Sequence, residues 1–485
     1  MATTPTPRSL DAADRRAAPL LGRTRHVHFV GIGGIGMSGI AELLAQQGYT
    51  VSGSDAKASD LTRRLEGLGV RVHEGHAAAH VGPADVVVVS SAVSPDNPEV
   101  AEARASGIPV VPRGEMLAEL MRRTFGIAIG GAHGKTTTTS MVAFVLEQAG
   151  LDPTAVIGGR LRAFGSNARL GHSAYMVAEA DESDGSFLKL SPSLSVITNV
   201  DREHLDHYQT FERVLDAFVE FANRVPFYGA VVVGIDDPHL AALVPRMTRR
   251  VVTYGVDRTD ADVSVRDIVT ADGRTHCQVW HRPQPGAAPV TLGSLTLSVP
   301  GRHNLSNALA AVAVSLDLGI PFAKIAAALE VFAGAERRLQ VVGTAGDVLV
   351  ADDYGHHPTE IAAVLRAVRD AWSRRVVVVF QPHRYTRTAA LLDDFATTLA
   401  QADLVLLTPI YAASEAPLPG VSSAVLAERI ATRGGASVRV LDSLDDVPAA
   451  VADQARGGDI VLTLGAGSIG AMAPRILERL RQEAS

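Results

Sequence analysis

His26–Gly36 reads His-Val-His-Phe-Val-Gly-Ile-Gly-Gly-Ile-Gly. A short apolar strand, His26–Val30, runs into a turn of four glycines, Gly31, Gly33, Gly34 and Gly36, that opens a helical stretch near 36–48. Strand, tight turn and helix form the first half of a βαβ unit. The glycines let the backbone bend sharply and approach a diphosphate, which then rests on the helix N-terminus. Asp55 lies 19 residues after Gly36, at the end of the next apolar run, where an acid can meet a ribose hydroxyl. A turn that merely packs helix on strand has the same glycines, and the motif does not separate NAD from other diphosphate nucleotides.

Working outward, strands are expected at Val51–Ser54, Val70–His73, Asp85–Ser90 and Pro109–Val111, with helices near 59–68, 97–106 and 114–123. That alternation predicts a parallel, doubly wound sheet over 25–124. A second unit, 125–334, opens with Phe125–Gly130 and a second glycine-rich turn. It continues through strands at Ala174–Ala180 and Leu194–Val200 and an amphipathic helix, Phe211–Asn223. Residues 256–299 alternate in short runs and predict a small antiparallel excursion, followed by alanine-rich helices near 305–318 and 321–333. A third unit, 335–485, has strands at Val348–Ala351, Val376–Phe380, Leu404–Leu407, Val438–Leu441 and Ile460–Leu464. The expected fold class is α/β in three domains: a Rossmann-like N-terminal domain, a central P-loop ATPase-type domain, and a Rossmann-like C-terminal domain. Residues 1–24 lack periodicity and read as a disordered tail.

Composition agrees. A chain of 485 residues, at about 150 per domain, suggests roughly three. With 47% hydrophobic and 20% charged residues it builds cores and is no disordered chain. A net charge of −7 argues against non-specific nucleic-acid or membrane binding. No apolar run approaches the ~20 residues of a membrane helix, so a cytoplasmic location is expected. The single cysteine, Cys277, excludes internal disulfides and Cys-based metal clusters and reads as structural. Only Lys57, Lys135, Lys189 and Lys324 are lysines among 45 basic residues, so arginine does the generic surface work and each lysine carries more meaning.

Gly131-Ala132-His133-Gly134-Lys135-Thr136-Thr137 follows the strand Phe125–Gly130. The first glycine of the strict phosphate-loop pattern is replaced by Ile129, yet the working end is present: backbone N–H groups, a lysine for β/γ phosphates and a hydroxyl for Mg²⁺. Ala178–Asp184 ends an apolar strand with four acids, Glu179, Asp181, Glu182 and Asp184, of which Glu179 is the lead Mg²⁺ ligand. A solvated acidic loop is the plain alternative. Thr198–His207 ends the next strand and offers His204 as a second ligand. Asn304 reads an adenine edge or caps a helix; Arg337, just after the expected domain junction, reaches across to a phosphate or makes an inter-domain salt bridge. In the third unit, Asp352–Glu360 and Gln381–Arg387 follow strands, where α/β sheets bind ligands, and Arg384 and Arg387 offer guanidinium forks for carboxylate or phosphate. Gly465–Gly470 is one more strand-to-helix turn. Two nucleotide turns and a basic third domain suggest a coupled reaction, in which one nucleotide supplies phosphoryl energy and the other is a handle on the substrate.

Gly33–Glu42 (GGIGMSGIAE), Gly134–Thr139 (GKTTTT), Glu179–Asp184 (EADESD), Gly301–Asn307 (GRHNLSN) and Asp352–Glu360 (DDYGHHPTE) resemble, in order, the motifs of the Mur ligases. The resemblance covers about 25–480 and implies three domains. It also implies that the first turn holds the UDP of UDP-N-acetylmuramate rather than NAD, through Gly33, Gly34, Gly36, Met37, Ser38, Asp55 and Ser91. It further implies that ATP phosphorylates the lactyl carboxylate and L-alanine attacks. Carried over by position, Gly131 to Thr137, Asn304 and Arg337 would hold ATP, with Lys135 on the γ-phosphate and Asn304 on adenine. Thr136 and Glu179 would ligate one Mg²⁺ and His204 a second. His357, Arg384 and Arg387 would serve substrate and transition-state charge once the third domain closes. Two positions depart from the family: Ala132 stands in place of Thr, and Glu203 in place of Asp. A ligase that adds a whole peptide to the same sugar nucleotide is the near alternative; an NAD-dependent oxidoreductase or a nucleotide-sensing module are remote ones. Several family members carry a carbamylated lysine soon after the Asp-His segment. No lysine occurs here between Lys189 and Lys324, so none is expected. The partners expected are the two substrates, without nucleic acid or membrane, in a monomer or homodimer.

Overall fold

In a computed structural model of the protein, the described residues are 21–90, 92–161, 165–284, 286–413 and 415–483. Ser91 and residues 1–20 of the expected tail lie outside them. Leu21, the first described residue, packs against the core and its N–H donates to the Tyr49 hydroxyl at 2.9 Å. The chain divides into two compact units. The first holds residues up to Val265 with Val279–Gly293 and Asn307–Ala328; the second holds Arg266–Gln278, Ser294–Ser306 and Leu329 onward.

The first unit begins as the sequence predicts. β1 (His26–Val30), α1 (Ile35–Gln46), β2 (Thr50–Asp55), α2 (Asp60–Gly67), β3 (Arg71–Glu74), β4 (Val86–Val89), α3 (Pro98–Ala105), β5 (Val110–Pro112) and α4 (Arg113–Met121) alternate. The five strands form one parallel sheet in the order β3-β2-β1-β4-β5. β1 lies centrally, so its carboxyl end, at the glycine turn, is where the strand order reverses and where such sheets bind ligands.

The chain continues through β6 (Phe125–Gly130), α5 (Lys135–Gln148), β7 (Thr154–Leu161), β8 (Ser166–Arg169), β9 (Tyr175–Glu179), β10 (Leu194–Ile197), α6 (Leu205–Tyr208), α7 (Phe211–Asn223), β11 (Ala230–Gly234), α8 (Pro238–Leu243) and β12 (Val251–Gly255). β13 (Val263–Ala271), β14 (Arg274–His281) and β15 (Val290–Leu297) follow, and the ten strands β6 to β15 form one sheet. β6 lies between β10 and β9, so the phosphate-loop turn is flanked by both acid- and histidine-bearing strand ends. The expected excursion is present: β13 and β14 are neighbours joined through Asp272 and Gly273, both with positive φ. Such a two-residue connection makes them antiparallel. The hairpin β7–β8 is antiparallel at the opposite edge. α9 (Arg302–Asp317) and α10 (Phe322–Glu330) are the two alanine-rich helices. α7 buries Phe218 and Phe221 against Phe187, with ring centroids 5.4 Å and 4.9 Å away.

The second unit is built on β16 (Gln340–Ala345), β17 (Val348–Asp353), α11 (Pro358–Ala371), β18 (Val376–Phe380), α12 (Tyr385–Ala390), α13 (Leu392–Leu399), β19 (Leu404–Leu407), α14 (Ser423–Arg433), β20 (Ser437–Val440), α15 (Val447–Gln454), β21 (Ile460–Leu464) and α16 (Met472–Glu483). The sheet order is β16-β17-β21-β18-β19-β20, parallel except for the edge strand β16. Two apolar clusters flank it, one around Phe380 and Phe395, the other around Val350, Val379 and Ile476. Cys277 is buried, and burial pushes its thiol up to about 12, which keeps it unreactive.

One polar layer is buried beneath the first sheet. Glu99, on α3, is fully buried and accepts from the Ser54 hydroxyl at 2.5 Å, pairs with His80 Nδ1 at 2.8 Å and faces His76 and His28. Burial alone would raise its carboxyl, but His28, Ser54, His80 and the Ala77 N–H hold it at about 2, below the ordinary 4.5. A carboxylate whose folded pKa is depressed contributes stability that is complete above 4.5 and lost as pH falls towards about 2. Glu99→Gln should therefore lower stability at neutral pH and flatten its decline between those values, measured by urea unfolding across pH. An unchanged acid slope would show that Glu99 is not the group responsible.

Candidate active site

The loop between β6 and α5 is shaped by its neighbours. Gly131 has φ 132° and Gly134 φ 80°, and a Cβ at these positions would run into Thr198 Oγ1 and Asn307 Oδ1 respectively. Asn199, at the end of β10, accepts from Ala132 N through its carbonyl at 3.1 Å. Its side chain takes His133 N at 2.8 Å and donates to His133 O at 3.0 Å. Thr198 Oγ1 donates to His133 O at 2.6 Å, and His133 Nε2 meets Asp201 at 2.8 Å. The loop is thus fixed from the side, which leaves the N–H groups of Gly134 and Lys135 without a protein acceptor among the described residues. Backbone donors at a helix N-terminus are what a phosphate takes.

Lys135 Nζ donates to Gly131 O at 2.6 Å, Ala132 O at 3.0 Å and Glu182 Oε1 at 2.7 Å. Burial alone would lower the ammonium's pKa; Glu182, Glu179 and Asp181 more than offset that and raise it, so the charge is kept. Glu182 is 3% exposed, and its Oε2 is buried without a partner among the described residues. His204 Nε2 lies 3.6 Å from Glu182 Oε1 and 3.9 Å from Glu203. Burial lowers the imidazole's pKa, and these two carboxylates outweigh it and raise it. Glu182, Glu203 and His204 each bring one ligand atom within 4.8 Å of one another. Two carboxylates and an imidazole around a buried, unpartnered oxygen suit a divalent cation such as Mg²⁺.

The expected first-metal ligands sit under β7. Glu179 Oε2 accepts from Gly158 N at 2.8 Å, and a Cβ at Gly159 would lie 2.9 Å from the Thr136 methyl. The Gly158–Gly159 pair lets that strand pass close over both. Thr137 is buried at the start of α5. In the first sheet's turn, Gly31 N and Ile32 N donate to Ser54 O, each at 2.9 Å, and Gly33 N to Asp55 Oδ2 at 2.8 Å. Met37 and Ser38 are buried, and their N–H groups donate to Gly34 O. The N–H groups of Ile35 and Gly36 have no protein acceptor among the described residues. Arg113 Nη2 pairs with Asp181 Oδ2 at 2.8 Å, and its Nη1 lies 2.8 Å from where a Cβ on Gly36 would be.

The second unit brings its own expected residues to strand ends. His357 caps α11, with its ring nitrogen accepting from Thr359 N at 3.4 Å while Glu360 accepts from His356 and His357. Arg384 begins α12 at φ 70° and its N–H donates to Tyr411 O at 2.8 Å; Arg387 Nη1 meets His383 Nδ1 at 3.3 Å. Burial and the two arginines push His383 down to about 4, so it stays neutral beside them. Arg337 pairs with Asp352 at 2.9 Å and donates to the Gly465 carbonyl, both within its own unit, so the salt bridge it makes here is not the inter-domain one the sequence suggests. Asn304 is buried and donates to Pro300 O at 2.8 Å.

Residues 26–125, 129–315 and 337–467 match in order the family models described as "Mur ligase family, catalytic domain", "Mur ligase middle domain" and "Mur ligase, glutamate ligase domain". The chain belongs to the Mur ligase family. It is 55% identical to the UDP-N-acetylmuramate–L-alanine ligase of Desulfosudis oleivorans over 92% of its own length and 96% of that protein's. Among solved structures it resembles the UDP-N-acetylmuramate-alanine ligase of Thermotoga maritima, with a TM-score of 0.80, 29% identity, and 94% of this chain and 99% of that one covered. It also resembles a murein peptide ligase of Psychrobacter arcticus, with a TM-score of 0.69, 27% identity and the same coverage. No helix among the described residues is long and apolar enough to cross a membrane.

Sequence reasoning singled out Glu179 and passed over Glu182, Asn307, Asp201 and Arg113. A signal for Glu182 existed: a lysine buried at a helix N-terminus needs a carboxylate, and the stretch 179–184 is where one is at hand. Gly131→Ala would force a Cβ into Thr198 at a left-handed φ. It should weaken ATP binding by at least about tenfold, about 1.4 kcal/mol, in calorimetric titration, with secondary structure retained. Binding unchanged by the substitution would mean the loop is not the phosphate seat.

Proposed function

We propose that this chain is the ATP-dependent ligase that joins L-alanine to the lactyl carboxylate of UDP-N-acetylmuramate during peptidoglycan precursor synthesis. The name of the Desulfosudis relative supports it, at that identity and coverage. The observation that carries the chemistry is the Lys135 ammonium held among loop carbonyls and Glu182, beside His204.

The carboxylate oxygen attacks the γ-phosphorus of ATP, ADP leaves, and an acyl phosphate forms. The amine of L-alanine then attacks the acyl carbon, and the tetrahedral intermediate expels phosphate to leave the amide. Lys135 neutralises the γ-phosphoryl charge as it transfers, supported by the N–H groups of Gly131, Gly134, Thr136 and Thr137. Ala132 and His133 shape the loop. Gly33, Gly34, Gly36, Met37, Ser38 and Asp55 form the turn that seats the UDP moiety, and Ser91, outside the described residues, is proposed for the same ligand on its position in the sequence alone. Asn304 serves the adenine, and Arg337 a phosphate of ATP. His357, Arg384 and Arg387 orient substrate and stabilise developing charge. Thr136 and Glu179 would hold one Mg²⁺, and His204, with Glu182 and Glu203, a second. Such ions, when bound, supply positive charge to phosphoryl and acyl oxygens. The enzyme works in the cytoplasm as a monomer or homodimer, without nucleic acid. A peptide-adding ligase on the same sugar nucleotide is the second reading, supported by the Psychrobacter neighbour. An NAD-dependent oxidoreductase leaves Lys135 without a task.

Phosphate release should require ATP, UDP-N-acetylmuramate and L-alanine together; full-rate release without the sugar nucleotide would exclude the ligase. A murein peptide accepted in place of L-alanine would favour the second reading. Lys135→Ala should lower kcat by far more than tenfold, that is by more than about 1.4 kcal/mol of barrier, with secondary structure retained at the assay temperature although the buried Glu182, left without its partner, lowers the melting temperature. Catalysis should proceed without a carbamate, because α7 offers Glu212, Arg213, Asp216 and Glu220 but no lysine. An arginine stays protonated at any working pH and does not take up CO₂. Rates should be equal in bicarbonate-free and bicarbonate-supplemented buffer; a bicarbonate requirement would overturn this.

A further inference from the structure

Arg113 belongs to neither nucleotide motif, yet it touches both. It is the first residue of α4, at the end of β5 in the first sheet. Its Nη2 donates to Asp181 Oδ2 at 2.8 Å, in the acidic stretch that also carries Glu179 and Glu182. Its Nη1 lies 2.8 Å, and its Cδ 3.1 Å, from the position a Cβ on Gly36 would take. The guanidinium therefore rests on the last glycine of the first turn, which explains why that position carries no side chain. Among the described residues Asp181 is the only hydrogen-bond partner of this guanidinium. The remaining donors lie beside the turn whose Ile35 and Gly36 N–H groups also have no protein acceptor. Arg113 is 21% exposed, so these donors remain open to a ligand arriving from outside. Spare guanidinium donors and orphan helix-terminal N–H groups at one place are the donor set of a diphosphate.

We propose that Arg113 is a positioning residue shared by two sites: it holds the diphosphate of the sugar nucleotide while staying paired to Asp181, so that filling the first turn fixes the acidic strand end beside Lys135. This rests on the function proposed above. Asp181 is a fitting link. Its Oδ2 accepts from Arg113 at 2.8 Å and its Oδ1 from Ser183 N at 3.1 Å, so the carboxylate is anchored through both oxygens. The next residue, Glu182, meets the Lys135 ammonium at 2.7 Å, so moving Arg113 towards a diphosphate or away from it moves the chain that carries this partner of the phosphate loop. Affinities coupled in this way are coupled equally in both directions.

The test is the change in affinity for a non-hydrolysable ATP analogue with Mg²⁺, titrated calorimetrically with and without saturating UDP, and again with UDP-N-acetylmuramate. Wild type should bind the analogue at least about fivefold more tightly with either nucleotide present, the low end of ordinary site-to-site coupling. Arg113→Ala should bind UDP at least about tenfold more weakly and lose the coupling. Arg113→Lys keeps the charge but cannot span both partners; it should retain part of the UDP affinity and still lose the coupling. Asp181→Asn should keep UDP affinity within about twofold while the coupling falls. Melting temperatures near wild type would exclude misfolding of these variants. Equal coupling in wild type, Arg113→Lys and Asp181→Asn would overturn the proposal, as would its absence from wild type. Coupling with UDP-N-acetylmuramate alone would overturn the assignment to the diphosphate and move Arg113 to the substrate's carboxylate. Phosphate release by wild type with all three substrates, measured alongside, separates failure of this inference from failure of the ligase reading.

Discussion

An ammonium group at the start of a helix is electrostatically awkward, because the helix N-terminus is itself positive. Lys135 sits there, deeply enclosed, and the structure depends on how that charge is answered. Two loop carbonyls and Glu182 do so. Removing the carboxylate would leave an uncompensated buried charge, a cost of about 3–5 kcal/mol. The pair also fixes the backbone around it. The Glu182 carbonyl accepts from the Tyr208 hydroxyl at 2.6 Å, and Tyr208 closes the short helix that begins after His204. His204 accepts a φ of 56° to start that helix, so the loops after β9 and β10 are tied together around one ion pair. Phe187, a few residues beyond, is clamped by two phenylalanines of α7, which turns the acidic stretch into a rigid platform.

Most of the sheet framework is legible from apolar runs alone. β1, β6, β10, β18 and β21 are fully or nearly fully buried runs, and a strand covered on both faces reads as a continuous apolar run. The segments that escape the pattern are of other kinds. β7, Thr-Ala-Val-Ile-Gly-Gly-Arg-Leu, is broken by a glycine pair that suggests a turn; those glycines instead clear space for Glu179 and Thr136. β8 and β12 are short or half-buried, and β16 is an edge strand whose hairpin turn runs through Gly346 and Asp347. β11, Ala-Val-Val-Val-Gly, is as apolar as any strand the pattern picks out, and the reading simply does not reach it.

The site is legible in its motifs and less so in its pairings. Spacing places Lys135, Glu179 and His204 at adjacent strand ends, and the sheet order β10-β6-β9 does put those ends side by side. Spacing does not say which acid faces the lysine. Glu179 ends the strand and is taken by the N–H of Gly158, in a segment far from it in sequence; Glu182 lies past the strand, where the chain turns back. Pairing is decided by chain reversal, which no local pattern encodes. The same holds for Asn307, whose side-chain oxygen accepts from Thr138 at 3.1 Å from a helix far along the chain.

The two glycine turns, different in motif, share one construction. In each, the end of a neighbouring strand locks the turn: Asp55 and Ser54 from β2 on Gly31 to Gly33, and Asn199 from β10 on Ala132 and His133. With the turn's own donors spent on the protein, the helix-terminal N–H groups behind it are left for an anion. What differs is the cation beside them. The first turn has a guanidinium paired to a carboxylate, a fork that grips an anion bidentately and keeps its proton throughout. The second has a compact ammonium on a flexible stem, able to leave its carbonyls and follow a phosphoryl group as it moves. A site that must hold a diphosphate still is served by the first arrangement, and one that must accompany transfer by the second. The assignment of handle and reacting nucleotide to the two turns thus follows from their cations as much as from their glycines.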